Sequence, residues 1–293
     1  MIKKKTHTVL ILLSILTTCL FCGCEASGTN KADDTTVDAN RNDYVNVYEV
    51  SEYLTEDQYD EYMNDDGTLF HRLLEYRHLL TDCSEFEFFA YCNNFIEVIN
   101  NEIPEICYVN FGTEFQAQSE YVINGENIIA AEAIQVSENY FSLFPIDITA
   151  GRGFQSTDFD YHDSESIPVI LGEAYRELFN LGDTFEAFYI GDRRTFTVIG
   201  FADTESIFYL RSGKRMESYE CYIVMPFENI GEDSASETAA RAVLLQEICG
   251  YVELNGDRSS ALQTIRRYLK DVGLEDWSEA IAVNDKSLFD KLM

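Results

Sequence analysis

Basic residues are scarce in this chain of 293 residues, which carries 21 Lys and Arg against 52 Asp and Glu for a formal net charge of −31. A surface this acidic repels the phosphates of nucleic acids and the headgroups of anionic lipids. We therefore exclude nucleic-acid binding. The acidic excess favours a solvated surface, and a site for cations or for a basic partner remains the alternative.

Histidine is also scarce, with only four in the chain. His7 lies in the leader, and His71 and His78 are two turns apart on one predicted helix. His162 lies in an acidic loop at 158–165 that does not have the order of ligands of an EF-hand. The nucleophile, zinc and phosphate-binding motifs of known enzymes are missing. We therefore predict no catalytic residue, no metal site, no cofactor and no enzymatic activity.

Proline and tryptophan are few, at four and one, whereas there are 18 Tyr and 20 Phe. Aromatic side chains favour strands, and few prolines interrupt them. Hydrophobic residues make up 46% of the chain, which is typical of a packed globular protein. These values predict β-rich or α+β structure.

The chain has no long apolar run, since the uncharged stretch at residues 8–23 is marginally short for a membrane-spanning helix, which needs about 20 residues. Lysines at 3–5 precede this stretch, and a polar segment follows it. This order predicts a secretory signal at 1–23. Its end resembles a bacterial lipoprotein signal, with cleavage after Gly23 and a lipid on Cys24. An uncleaved anchor helix and a freely secreted protein are the alternatives.

Residues 24–44 are polar and without apolar periodicity, so we predict a flexible tether there and a folded domain at 45–293. The cysteines of that domain are Cys83, Cys92, Cys107, Cys221 and Cys249. Their spacing does not match that of zinc or redox motifs. Cys107, Cys221 and Cys249 lie in apolar runs that we interpret as strands. We favour free core thiols over disulfides, with Cys83–Cys92 or Cys92–Cys107 as the local pairs if disulfides form.

Apolar periodicity and turn residues predict alternating helices and strands, and hence an α+β fold. Thr55 and Gln58 form a predicted capping box, and Asn124-Gly125 predicts a tight turn. The predicted helices cover 56–63, 68–80, 138–143, 173–179, 236–246 and 260–270. The predicted strands cover 86–91, 106–111, 115–122, 128–136, 146–150, 168–171, 185–190, 195–201, 221–225, 250–254 and 280–283, with a hairpin loop at 191–194.

From about Ile128 onward, an ordered series of short motifs resembles the MacB-type periplasmic core domain, the extracytoplasmic domain of ABC transporter permeases in the MacB/FtsX group. The motifs lie at 134–141 (IQVSENYF), 148–154 (ITAGRGF), 168–174, 177–179, 196–201, 222–226 and 255–257. The resemblance implies mixed and antiparallel sheets with packed helices in a two-lobed domain. Residues 128–285 match best, and the lobe at 45–127 matches less clearly.

We expect folding roles, rather than catalytic ones, for several residues of these motifs. These residues are Gly151, Arg152, Gly153, Asp158, Gly172, Gly200 and Pro226. The glycines are expected to permit sharp turns or close backbone approach. Arg152 is expected to pair with Asp158.

The resemblance implies a non-enzymatic protein that binds a partner or cargo outside the membrane. We expect an accessory part of an ABC-type export or envelope system, held at the membrane through Cys24 and without the membrane helices of the permease. An ABC transporter permease with its ATPase, or another envelope protein, is the expected partner. The alternatives are a solute-binding lipoprotein of an importer and a secreted hydrolase.

Overall fold

The computed structural model describes residues 47–51, 54–111, 119–161, 166–210 and 215–275. The predicted cleavage site Gly23, the predicted lipid site Cys24, His162 and the predicted strand at 280–283 lie outside the described residues. All structural statements below refer to the described ranges.

Five α-helices begin and end near the predicted positions. The capping box at Thr55 is present, because the Gln58 amide donates to Thr55 Oγ1 at 3.3 Å and the Thr55 amide donates to Gln58 Oε1 at 2.9 Å. The helices are α1 (Glu56–Asn64), α2 (Thr68–Thr81), α3 (Tyr140–Leu143), α4 (Thr238–Glu247) and α5 (Arg258–Asp271). Short 3₁₀ helices cover Glu105–Cys107, Ser156–Phe159, Glu173–Glu177, Tyr219–Cys221 and Glu232–Ser236.

Twelve strands are described, and ten of them form one mixed sheet. They are β1 (Val47–Val50), β2 (Phe86–Ile99), β3 (Glu120–Ile123), β4 (Glu126–Val136), β5 (Ile148–Gly151), β6 (Ile167–Gly172), β7 (Thr184–Tyr189), β8 (Asp192–Ala202), β9 (Ile207–Leu210), β10 (Arg215–Ser218), β11 (Ile223–Pro226) and β12 (Gly250–Leu254). Strands β9 and β10 form a separate antiparallel hairpin. The predicted α+β fold is confirmed.

Six strands of the large sheet close into a ring. The hydrogen-bonded path runs β2-β7-β8-β6-β11-β4, and β4 pairs with β2 again over nine residue pairs. The β6–β8 and β4–β11 pairs are parallel, and the other four are antiparallel. Strand β2 also pairs at its start with β12, which continues to β1. This long strand lies before the predicted division at residue 127, but the residues it pairs with all lie after it.

Alternate residues of the ring strands fill its inside, as the period of two along a strand requires. They share one hydrophobic cluster and are almost fully buried; examples are Ile96, Ala131, Val169, Phe196 and Met225. The same cluster includes the apolar faces of α2, α4 and α5. Helices α2 and α4 pack on β2, and α5 packs on α2. The ring and the helices thus share a continuous core.

A second cluster, rich in aromatic rings, lies on the opposite face of β2 and β12. Tyr91 stacks on Tyr140 with ring centroids 5.6 Å apart, and Tyr251 lies 5.3 Å from Tyr91. Phe208 of the β9–β10 hairpin packs against Tyr219 at 4.7 Å. This cluster joins the hairpin and α3 to the sheet.

Three sequence predictions are wrong in detail. Residues 106–111 do not form a strand, because Cys107 donates its amide to the Pro104 carbonyl in a 3₁₀ turn and only Tyr108 makes an isolated bridge, to Ala131. The predicted helix at 173–179 is a 3₁₀ turn at Glu173–Glu177. Strand β8 begins at Asp192, so the turn that joins it to β7 consists of Ile190 and Gly191, both with positive φ.

The cysteines of the domain are free in this structure, as the sequence analysis favours. The assignment of Cys107 and Cys221 to strands is wrong, because each ends a 3₁₀ turn. Cys249 lies immediately before β12 and is fully buried.

Candidate functional site

Gly151 and Gly200 face each other where β5 crosses β8. The two residues are paired in the antiparallel register, and the Arg152 amide donates to the Ile199 carbonyl at 3.0 Å. A Cβ on Gly151 would lie 2.2 Å from the Ile199 carbonyl oxygen, and a Cβ on Gly200 would lie 2.4 Å from the Arg152 carbonyl oxygen. Gly151 also has a φ of 79°, which favours glycine. Both positions therefore allow a close backbone approach.

Arg152 and Asp158 form the expected ion pair just after this crossing. Arg152 Nη2 donates to Asp158 Oδ1 at 2.9 Å, and Nη1 contacts Oδ2. The Gln155 amide donates to Asp158 Oδ2 at 2.7 Å. Burial raises the pKa of Asp158, but these hydrogen bonds outweigh it and leave the pKa below its usual value. The pair fixes the loop that follows β5.

Gly153 stands at the end of the same motif, but a Cβ there would meet no atom within 4 Å. Gly172, at the end of β6, is tightly packed, because a Cβ would lie 2.1 Å from the Glu220 carbonyl oxygen. Pro226 ends β11, and its carbonyl accepts hydrogen bonds from Gln135 at 3.3 Å and from Tyr161 at 3.1 Å. The structure thus brings Gly151, Arg152, Asp158 and Gly200 together. Gly172 pairs with Ala202 further along β8, and Pro226 lies at the end of β11.

A cavity of about 340 Å³ lies between the end of α1 and the start of α4. Its charged residues contact each other, since Arg241 Nη1 binds Asp65 Oδ1 at 2.6 Å and the Tyr62 carbonyl at 2.5 Å. Arg241 Nε donates to the Ala235 carbonyl at 2.8 Å, and Asp65 accepts the Leu69 amide at 2.6 Å. Asp65 and Arg241 were not singled out in the sequence, because they are far apart along the chain.

A second buried ion pair joins α2 to α4. Arg77 Nη1 contacts Glu247 Oε2, and Arg77 Nη2 donates to the Ile230 carbonyl at 2.8 Å. Burial raises the pKa of Glu247 to about 7, although Arg77 opposes the shift. Glu228 adds a repulsive charge nearby. The pair holds two helices together, and no local sequence signal predicted it.

The described residues contain no group of three or more His, Cys, Asp or Glu side chains arranged to hold a metal ion. Within the same ranges, each helix is too short or too polar to span a membrane. The Arg77–Glu247 and Arg241–Asp65 pairs join distant segments of the chain, and the Arg152–Asp158 pair lies within the segment that follows β5.

The family model described as "MacB-like periplasmic core domain" matches residues 90–264. The periplasmic region of MacB from Actinobacillus actinomycetemcomitans is 14% identical, with a TM-score of 0.44, over 85% of this chain and 92% of that chain. The extracellular domain of the noncanonic ABC-type transporter YknZ from Gram-positive bacteria is 15% identical, with a TM-score of 0.43, over 80% and 97%.

No curated protein matches this chain. The match of the family model begins at residue 90, within β2, and therefore earlier than the resemblance seen in the sequence from about Ile128. It covers more than half of the chain and includes the β5–β8 crossing, the Arg152–Asp158 pair and all of the ring strands β4 to β11. The chain belongs to the family of MacB-like periplasmic core domains.

Proposed function

We propose that this protein is a lipid-anchored extracytoplasmic protein that binds another component of the cell envelope, as an accessory part of an ABC-type export or envelope system. The observation that carries the proposal is the family match over residues 90–264, in a chain that also has a lipoprotein-like leader. The family name places such domains in the periplasm, and MacB and YknZ are named as transporter proteins.

The anchor in this proposal is Cys24, after cleavage behind Gly23. Residues 24–44 then form a tether, and residues 45–293 form the core domain above the membrane. Each buried CH₂ of an acyl chain contributes about 0.8 kcal/mol, so a diacylglyceryl group with two chains holds a protein firmly at a membrane. The acidic surface supports this arrangement, because repulsion from anionic headgroups keeps the domain off the membrane.

A binding role without catalysis fits the charged residues of the core. Arg152, Arg77 and Arg241 are each paired with a carboxylate of another element. A catalytic carboxylate or nucleophile needs an orienting group and an opening to substrate, whereas these carboxylates are occupied by arginines and backbone amides.

The experiment is chemical crosslinking of the tagged full-length protein on intact cells, followed by solubilisation of the membranes and identification of the proteins that co-purify. The proposal predicts recovery of an ABC permease or its ATPase. Cys24→Ala is expected to release the protein from the membrane, or to leave it uncleaved, and to reduce that recovery. Cys22→Ala is the matched control and is expected to behave as the native protein.

Recovery of the protein in the membrane fraction without any transporter component would reject the accessory role. Membrane attachment that is equal in Cys24→Ala and Cys22→Ala, with the leader still removed, would reject the lipid anchor. The two parts of the proposal are therefore tested separately.

A further inference from the structure

Strand β3 lies at one end of the large sheet. Within the described ranges it pairs with β4 alone, in an antiparallel register that places Glu120 opposite Ile129 and Ile123 opposite Glu126. Its other edge therefore faces away from the sheet. Edges are often protected by lysine, proline or a bulge, and β3, with the sequence Glu-Tyr-Val-Ile and a continuous register, contains none of these.

The register shows which backbone groups of β3 point outward. The Ala130 amide donates to the Ser119 carbonyl at 2.7 Å. Along an antiparallel ladder, pairs that exchange hydrogen bonds alternate with pairs that do not. Tyr121 therefore bonds to β4, whereas the N–H and C=O groups of Glu120 and Val122 point away from it.

Asn127 provides an independent check of this assignment. It lies opposite Val122 in the register of β3 and β4. Its amide donates to Asn100 Oδ1 at 2.9 Å, and its carbonyl accepts the Asn100 amide at 2.8 Å. Since Asn100 follows β2 on the opposite side of β4, the backbone groups of Asn127 are turned away from Val122. The backbone groups of Val122 therefore lie on the outer edge of β3.

Two apolar side chains are exposed beside this edge. Val122 is 65% exposed and Ile106 is 68% exposed, more than the other large apolar side chains of the described ranges. Ile106 lies in the 3₁₀ turn Glu105–Cys107, and the segment after this turn runs along the same side of β4 as β3 does. Val109 of that segment donates its amide to the carbonyl of Ala130, whose own amide binds the start of β3.

The charge beside the edge is negative. Glu102, Glu105 and Glu120 are exposed, and Tyr108 lies next to them through its bridge to Ala131 of β4. Burial raises the pKa of Tyr108, and the charges of the three carboxylates raise it further. A cationic side chain is attracted here, whereas a second copy of this chain, with a net charge of −31, would bring the same carboxylates against each other.

We propose that the outer edge of β3 binds an extended segment of a partner protein in which a lysine or arginine stands two positions from an apolar residue. The backbone of the segment bonds to Glu120 and Val122 and adds a strand to the sheet. Side chains two positions apart on a strand lie on one face, so the apolar residue covers Val122 while the cation meets Glu120. The inference rests on the proposed binding role and names its surface.

The test uses the full-length protein, purified in detergent from membranes, and the fluorescently labelled peptide Lys-Thr-Val-Thr-Lys. This peptide reads the same in both directions, so it presents the required spacing to a parallel or an antiparallel edge. The control peptide Lys-Thr-Pro-Thr-Lys has the same charge, but its central residue cannot donate a backbone hydrogen bond. Fluorescence anisotropy should show that the valine peptide binds roughly tenfold more tightly than the proline peptide.

Two substitutions in β3 test the backbone and the charge separately. Val122→Pro removes the outward N–H without changing the charge, and proline is tolerated where the N–H of an edge strand faces solvent. Glu120→Lys repels the lysines of the peptide. Each should weaken binding of the valine peptide roughly tenfold. Val122→Thr keeps the N–H and the branched shape, and Glu177→Lys makes the same charge change at another exposed carboxylate, so both controls should bind as the native protein does.

Equal affinity of the native protein for the two peptides, or full affinity of Val122→Pro for the valine peptide, would overturn the inference. The proposed binding role would then still stand if crosslinking on cells recovers a permease, and it would use a different surface. Tight binding of the valine peptide by the native protein alone, without recovery of a transporter component from cells, supports the edge and rejects the transporter role. The comparison of the two peptides on the native protein decides, even if a variant does not fold.

Discussion

The close approach of β5 to β8 makes a sharp prediction for Gly200→Ala. A Cβ at this position would lie 2.4 Å from the Arg152 carbonyl oxygen, and ordinary contact needs about 1 Å more. The obstacle is backbone rather than a flexible side chain, so β5 must move away from β8. That movement also weakens the 3.0 Å hydrogen bond from the Arg152 amide to the Ile199 carbonyl.

Overpacking of this kind costs about 1–3 kcal/mol, and the weakened hydrogen bond adds about 1 kcal/mol. We therefore expect Gly200→Ala to lower the free energy of unfolding by about 2–4 kcal/mol. Equilibrium urea denaturation followed by far-ultraviolet circular dichroism measures this quantity. The corresponding fall in the thermal midpoint is roughly 5–10 °C for a domain of this size.

Gly153→Ala is the matched control, since it lies in the same motif and a Cβ there meets no atom within 4 Å. Alanine restricts the unfolded chain more than glycine does. Gly153→Ala should therefore leave the free energy of unfolding unchanged or raise it by up to about 1 kcal/mol. If the two variants differ by less than about 0.5 kcal/mol, the close approach does not constrain the fold and the reasoning is refuted.

Three further predictions concern single residues. Asp158→Asn should lower the free energy of unfolding by about 1–2 kcal/mol at neutral pH, because it loses the charged bond to Arg152. The folded pKa of Asp158 lies below its unfolded value of about 3.9, so the stabilisation by this carboxylate is present above that value and is lost as pH falls through the folded pKa. Urea denaturation at several pH values should therefore show the stabilities of the native protein and Asp158→Asn converging in acid. A difference that stays constant with pH would contradict the assignment. Burial raises the pKa of Glu247 to about 7 despite Arg77, so its contribution is complete below the unfolded pKa of about 4.3 and is lost as pH rises through the folded pKa. Glu247→Gln should flatten this decline between about pH 4.5 and 7.5, and parallel pH profiles for the two proteins would disprove the assignment. Gly172→Ala should lower the free energy of unfolding by more than about 2 kcal/mol, because its Cβ would lie 2.1 Å from a backbone carbonyl oxygen, and an unchanged thermal midpoint would exclude that clash.

Local sequence signals predicted most of the elements well. Thr55 with Gln58 marked the start of α1, and Asn124-Gly125 marked the turn between β3 and β4. The strand at Gly250–Leu254 agrees with the prediction at both ends. These signals depend on contacts within a few residues, so they can be read along the chain.

The errors arose where distant contacts override local preference. The apolar run at 106–111 has strand-like composition, but β4 already pairs with β2, β3 and β11, so only Tyr108 reaches it. The β9–β10 hairpin was missed altogether, and its Phe208 is completely buried because it packs on rings of other elements. Strand propensity describes a half-buried surface and does not indicate which surface will cover it.

Some contacts of the candidate site could be predicted from the sequence, and others could not. The motif around Gly151 and Arg152 was visible in the sequence, and Asp158 is close enough along the chain for the ion pair to be expected. The ion pairs of Arg77 with Glu247 and of Arg241 with Asp65 each join residues more than 160 positions apart, and nothing near these residues indicates their partners.

Composition and local periodicity in the sequence indicated the α+β class and the acidic character of the chain. The order of its short motifs resembled the family that the family model then matched over residues 90–264. The tertiary structure decided that six strands close into a ring and which distant charged groups meet. The physical reason is that ring closure and buried pairing depend on long-range register. The register is fixed only when all the strands and helices pack around one core.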